Sequence, residues 1–216
     1  MKQDNFKTLP GITTEKRKVL NAHKKLASGT VVIVLIMVIV IWFLYSRGYR
    51  FTAFDASKAN PDVGKQAELL GSIDYDWAKV YFFDTTKEHR TVLVIKEGLL
   101  WKAPTTVYIN HNSDVVKTVG WMSFNDTKGQ VMAIAVVTSD PNVSYVEIGS
   151  STEKIRKEAK VGVPMLFSWK KVIEFNDLKP TAYSKDGKPL YEDRFPKNTN
   201  TVSTDDIRWY YVNGGK

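Results

Sequence analysis

Apolar and polar positions follow two different rules along this chain. Between Thr30 and Tyr45 the sequence reads TVVIVLIMVIVIWFLY without a single charge. Leu26–Gly29 extends the uncharged run back to Lys25, and Arg47 closes it on the other side. Roughly 20 predominantly apolar residues are needed to cross the hydrocarbon of a bilayer as a helix. The β-branched content would suit a buried strand, but strands rarely run this long without a turn signal. In lipid, a lone segment must satisfy its own backbone hydrogen bonds and is therefore helical. Trp42, Phe43 and Tyr45 cluster at one end, where amphipathic rings favour the headgroup level. The pattern predicts a tail over 1–25, a transmembrane helix over 26–45, a stalk with a short helix over 46–72, and a β-rich domain over 73–213.

Within the stalk, Asn60 and Pro61 predict a helix start, with Gly71 as the stop after Ala67–Leu70. Beyond it the pattern shortens to runs rich in Val, Ile, Tyr and Phe, bounded by Asp, Asn, Gly or Pro. Strands are predicted at Ala78–Phe83, Arg90–Lys96, Thr105–Asn110, Val115–Phe124, Gln130–Thr138, Ser144–Ile148, Met165–Trp169 and Val172–Phe175. Thr181–Tyr183, Leu190–Tyr191 and Ile207–Val212 complete the set. Asn125–Gly129, Ser139–Asn142 and Ser184–Gly187 read as hairpin loops. Ser150–Lys160 is predicted as a surface helix, because Ser150 and Glu153 stand at capping-box spacing and Glu153 precedes Lys157 by four. A strand about every ten residues predicts a mainly-β (α+β) domain, an antiparallel sandwich or partly open barrel.

Charge then assigns the sides. The residues through Gly29 carry seven basic and two acidic side chains; the rest of the chain carries 24 and 21. The basicity therefore belongs largely to the tail and suits an anionic cytoplasmic leaflet. The near flank on the other side has Arg47, Arg50, Lys58 and Lys65, partly matched by Asp55 and Asp62. This asymmetry predicts a single-pass signal anchor in the cell membrane, N-terminus cytoplasmic and C-terminal domain extracytoplasmic. A cleaved signal peptide is the rival reading; the long leader and the near absence of a small-x-small site disfavour it. A nearly balanced outer domain lacks the basic patch of a nucleic-acid partner. The chain has no cysteine, which removes thiolate zinc sites, iron–sulfur clusters and thiol nucleophiles. A domain of this length can be stable without disulfides.

Candidate chemistry is sparse. Outside the tail only His89 and His111 remain. His111-Asn112-Ser113-Asp114 reads as a polar loop, and His89, between Glu88 and Arg90, as a solvated turn. A two-histidine metal site has no ligand spacing to support it, and no metal ligand is assigned. Asp74 and Asp76 flank Tyr75, and Glu192-Asp193 precedes Arg194; paired acids of this kind serve glycoside hydrolysis when they face each other across a cleft. No phosphate loop, HExxH or GxSxG occurs. No catalytic residue and no cofactor is assigned. Of the five outer tryptophans, Trp77, Trp101, Trp121, Trp169 and Trp209, most read as core. Trp209-Tyr210-Tyr211 is the predicted ligand or partner contact, because strand alternation sends neighbours to opposite faces.

Three segments, RTVLVIKEGLLWKAP at Arg90–Pro104, TVGWMS at Thr118–Ser123 and DIRWY at Asp206–Tyr210, resemble a group of uncharacterised single-pass membrane proteins of Bacillus-like bacteria. The resemblance implies a bacterial envelope and no particular activity. The expectation is a membrane-anchored binding or scaffold protein whose partners are the bilayer and a wall polymer, a small ligand or another membrane protein. The alternative is an envelope hydrolase working through Asp74, Asp76 or Glu192.

Overall fold

The computed structural model describes residues 11–197, 203 and 206–212. Residues 1–10 of the expected tail and 213 of the expected domain lie outside the described residues. The chain divides into two units, residues 1–47 and 48–216.

Among the described residues the first unit holds one helix, α1 (Gly11–Ser46). Its Gly29–Ser46 stretch is long and apolar enough to cross a membrane, and none of it is buried. Val31 through Ile41 all present their side chains outward. The helix ends where Arg47 N donates to the carbonyls of Phe43 and Leu44.

The second unit is mainly β, and every strand pair in it is antiparallel. Strands β1 (Glu68–Tyr75), β2 (Ala78–Asp84), β3 (Glu88–Glu97) and β4 (Leu100–Asn110) form a meander. A three-stranded sheet holds β5 (Val116–Asp126), β6 (Gly129–Thr138) and β9 (Met165–Trp169). A five-stranded sheet runs β12-β11-β10-β7-β8, built from β7 (Tyr145–Ser150), β8 (Glu153–Glu158), β10 (Thr181–Tyr183), β11 (Pro189–Arg194) and β12 (Arg208–Tyr211). The sheets do not close into a barrel.

Side-chain alternation explains the layering. On β6, Val131, Ala133 and Ala135 join a core with Ala78, Val80, Phe82, Leu93 and Ile95 of the meander. Their alternate neighbours Met132, Ile134 and Val136 join a second core with Val146, Ile148, Ala182 and Trp209 of the five-stranded sheet. The three-stranded sheet is thus covered on both faces, which is why β6 reads as an almost unbroken apolar run. The meander is covered twice as well. Tyr81, Phe83, Val92 and Val94 face away from the first core and pack on Ala53 and Ala56 of a short helix, α2 (Ala53–Lys58). Gly120 marks how closely two sheets approach: a Cβ there would lie 2.1 Å from the Phe82 ring.

Several expectations need correction. Residues 48–72 are not a stalk, since Ala53, Ala56 and Val63 are buried and β1 begins at Glu68. The short helix starts earlier than predicted, capped by Thr52, whose hydroxyl accepts from Asp55 N at 3.1 Å. Asn60 instead accepts from Asp62 N within a turn. Ala67–Leu70 leads into β1, because pairing with β2 places Leu70 and Ile73 against the first core and overrides local helix propensity. Ser150–Lys160 forms no helix. Ser150 pairs with Glu153 across a two-residue turn, and β8 lines the sheet edge with charge while Ile155 faces the core. Val172–Phe175 is not a strand. Ile173 and Leu178 instead plug the second core around a turn of helix, α3 (Phe175–Leu178). Ser139–Asn142 is a crossover between sheets rather than a hairpin loop. The expected loops at Asn125–Gly129 and Ser184–Gly187 do join hairpins, β5–β6 and β10–β11.

Candidate functional site

A cleft of about 730 Å³ opens where all three sheets and α3 meet. One wall is the end of β4, with Val107, Tyr108 and Ile109, continuing into the His111–Asp114 connection. β5 contributes Lys117, Thr118 and Trp121, and α3 contributes Phe175 and Asn176. Asp193 of β11, Phe195 beyond it, and Ile207–Trp209 complete the lining. The volume lies within the range of small-molecule sites, about 300–1,000 Å³, and the mixture of aromatic walls with a few polar groups is typical of them.

The aromatic walls brace one another. Trp121 lies 5.9 Å from Phe175, which meets Phe195 edge-on at 5.5 Å. The polar floor is a relay: Trp209 Nε1 donates to Thr118 Oγ1 at 3.0 Å, and that hydroxyl donates to Asp193 Oδ2 at 3.1 Å. Asp193 Oδ1 is buried without a hydrogen-bond partner. Burial pushes the Asp193 carboxyl up to about 6; the charge of Asp114 adds to this and the Thr118 hydrogen bond opposes it. Asp114 is itself 3.9 Å from the Arg208 guanidinium.

The three predicted contact residues take three different environments. Trp209 lines the cleft and is buried against the second core. Tyr210 is not part of the lining; its hydroxyl donates to Asp206 O at 2.9 Å and the Arg194 guanidinium covers its ring at 4.4 Å. Tyr211 is exposed and meets Tyr191 edge-on. Trp121 is the second tryptophan at the cleft. Trp169 stacks on Phe167 in the core, and Trp77 packs by Phe124.

The acids proposed for hydrolysis do not converge. Asp74 pairs with Lys79 at 2.7 Å, Asp76 with Lys170 at 3.2 Å, and Glu192 lies 3.8 Å from Arg194. None of the three lines the cleft. Asp193, the neighbour of Glu192, does, because adjacent residues of β11 face opposite ways.

The two histidines of the second unit, by contrast, come together. Asp84 ends β2, His89 sits directly across from it on β3, and His111 follows the end of β4. Asp84 Oδ1 is 2.8 Å from His111 Nε2 and 3.1 Å from His89 Nδ1, and the imidazoles meet edge-on at 4.4 Å. His89 is therefore a buried side chain rather than a solvated turn. Burial is the main cause holding its pKa below the ordinary value, although Asp84 pulls the other way. The sequence carried one faint signal for this cluster, two histidines at the same end of neighbouring strands. For Asp193 and Thr118, 75 residues apart, it carried none.

No family model, curated protein or solved structure matches the chain. The reading of the cleft rests on its own geometry.

Proposed function

We propose that the chain is a single-pass anchor of a bacterial cell membrane, with its tail cytoplasmic and its β domain outside, and that this domain binds a small amphipathic ligand. The observation that carries the reading is the cleft with its aromatic walls and buried acid. Flat apolar ligand faces, such as those of sugar rings, can stack on Trp121 and Trp209. Asp193, with a free acceptor oxygen, receives a hydroxyl or ammonium group from the same ligand. Soluble cell-wall fragments combine both features, and the proposed envelope location brings them within reach. The exposed apolar α1 and the charge asymmetry across it support the anchor and its orientation.

Titrating soluble wall fragments into the full chain in mild detergent, followed by tryptophan fluorescence, tests the binding. A saturable change that Trp121→Ala abolishes is the expected result; no saturable change in the wild type overturns the choice of ligand. Protease added to intact cells tests the topology, and survival of the C-terminal domain overturns it. A hydrolytic reading moves from Asp74, Asp76 and Glu192 to Asp193 and Asp114, which line one cleft. Cleaved fragments in the same titration, absent with Asp193→Asn, would favour that reading.

A further inference from the structure

We propose that Asp84, His89 and His111 bind one divalent transition-metal cation, zinc in the first instance, at the rim of the cleft. The proposal is independent of the ligand that the cleft takes. Two adjacent strands and the residue just after a third each deliver one donor at the same end of the meander, and the ligand atoms all lie within 4.8 Å of one another. Tetrahedral zinc with N and O ligands at about 2.0–2.1 Å requires donor–donor edges of about 3.3 Å. The carboxylate oxygen already stands 2.8 and 3.1 Å from the two imidazoles, so these two edges need to lengthen only by a few tenths of an ångström to admit a cation.

His89 supplies an independent observation. It is 6 % exposed, yet its Nε2 has no hydrogen-bond partner, and its Nδ1 meets only the Asp84 carboxylate, at 3.1 Å. Buried polar groups are almost always satisfied, and an under-satisfied imidazole calls for a specific reason. A metal ion provides one for the nitrogen it binds, because it accepts the lone pair of a neutral imidazole.

Two imidazoles and one carboxylate, without thiolate, suit zinc, cobalt, nickel or copper(II) rather than calcium or magnesium. Three protein donors leave the fourth position to water or a ligand, as in zinc sites that do more than hold a fold together. His111 also lines the cleft, so that position lies beside the proposed ligand site.

The test uses the untagged full chain in mild detergent, stripped with chelator and titrated with zinc by calorimetry and with cobalt by visible absorption. Wild type should take up one equivalent, with a tetrahedral cobalt spectrum and a zinc-dependent rise in Tm. His111→Ala and Asp84→Asn, which alter partly exposed side chains, should each weaken binding at least about tenfold and remove the cobalt spectrum. The metal-free His111→Ala chain should keep the wild-type circular dichroism. Absence of uptake by wild type at millimolar zinc overturns the proposal. So does one-equivalent binding that neither substitution weakens, which would place the metal elsewhere, on His23 of the tail for example.

Discussion

Thr118 holds Asp193 and is itself held by Trp209: its hydroxyl donates to the carboxylate at 3.1 Å and accepts the indole N–H at 3.0 Å. One side chain of the three-stranded sheet thereby ties down two strands of the five-stranded one. Thr118→Val keeps the shape but leaves a buried N–H and a buried carboxylate oxygen without partners. Each such orphan costs about 1–3 kcal/mol, so a loss of about 2–6 kcal/mol is expected by chemical denaturation of the full chain in detergent. Thr118→Ser retains the hydroxyl and should lose less than about 1 kcal/mol.

Asp193 gives the domain a pH dependence opposite to that of a paired surface carboxylate. Its folded pKa, about 6, lies above its ordinary value of 3.8. The folded state therefore binds the proton more tightly, and this contribution to stability is complete below pH 4 and lost as pH rises through 6. The full span corresponds to at most about 3 kcal/mol. Asp193→Asn does not titrate, so its stability relative to wild type should improve by up to that amount between pH 4 and pH 7. A difference that stays flat with pH, measured in paired unfolding curves, would show that the carboxyl is ordinary.

Gly120 sits at a register irregularity of β5, where a Cβ would lie 2.1 Å from the Phe82 ring and 2.9 Å from Thr91 Oγ1. That hydroxyl accepts from Trp121 N at 3.1 Å, so the added methyl strikes a contact between two sheets. Gly120→Ala should cost about 1–3 kcal/mol through overpacking. It should also shift the Trp121 fluorescence, because Trp121 follows directly in the strand.

Leu178 is fully buried in the second core beneath α3. Leu178→Ala leaves a cavity and should cost about 2–5 kcal/mol. The loss should reach the cleft as well, since Phe175 on the same turn forms part of its wall. A lower Tm and a weaker response to ligand are expected together.

Alternation and turn residues made most strands legible, because β2, β3 and β6 carry Val, Ile and Phe in runs bounded by Asp, Gly or Asn. What failed was local propensity set against pairing. Ala67–Leu70 and Ser150–Lys160 are composed like helices, yet each is recruited by a neighbouring strand. That Trp209 and Tyr210 face opposite sides of their strand was legible from alternation. Asp193, Thr118 and Trp121 were not, because their proximity depends on how separate sheets stack. The histidine cluster lies between these cases. Its members are 5 and 27 residues from Asp84 in sequence, and only the register of β2, β3 and β4 brings them to one place.

The covered middle sheet also dictates an order of assembly. The meander β1–β4 is local in sequence and can form as soon as its residues are available, but one of its apolar faces has no partner until β5 and β6 arrive. The β5–β6 hairpin in turn exposes Met132, Ile134 and Val136 until strands as late as β12 condense on them. Contacts of such long range are slow to close, and apolar surface stays open to solvent in the interval. A chain emerging N-terminus first therefore carries a half-finished core through most of its synthesis. Its vulnerability to proteases and to self-association is greatest in that interval, and completion of β12 ends it.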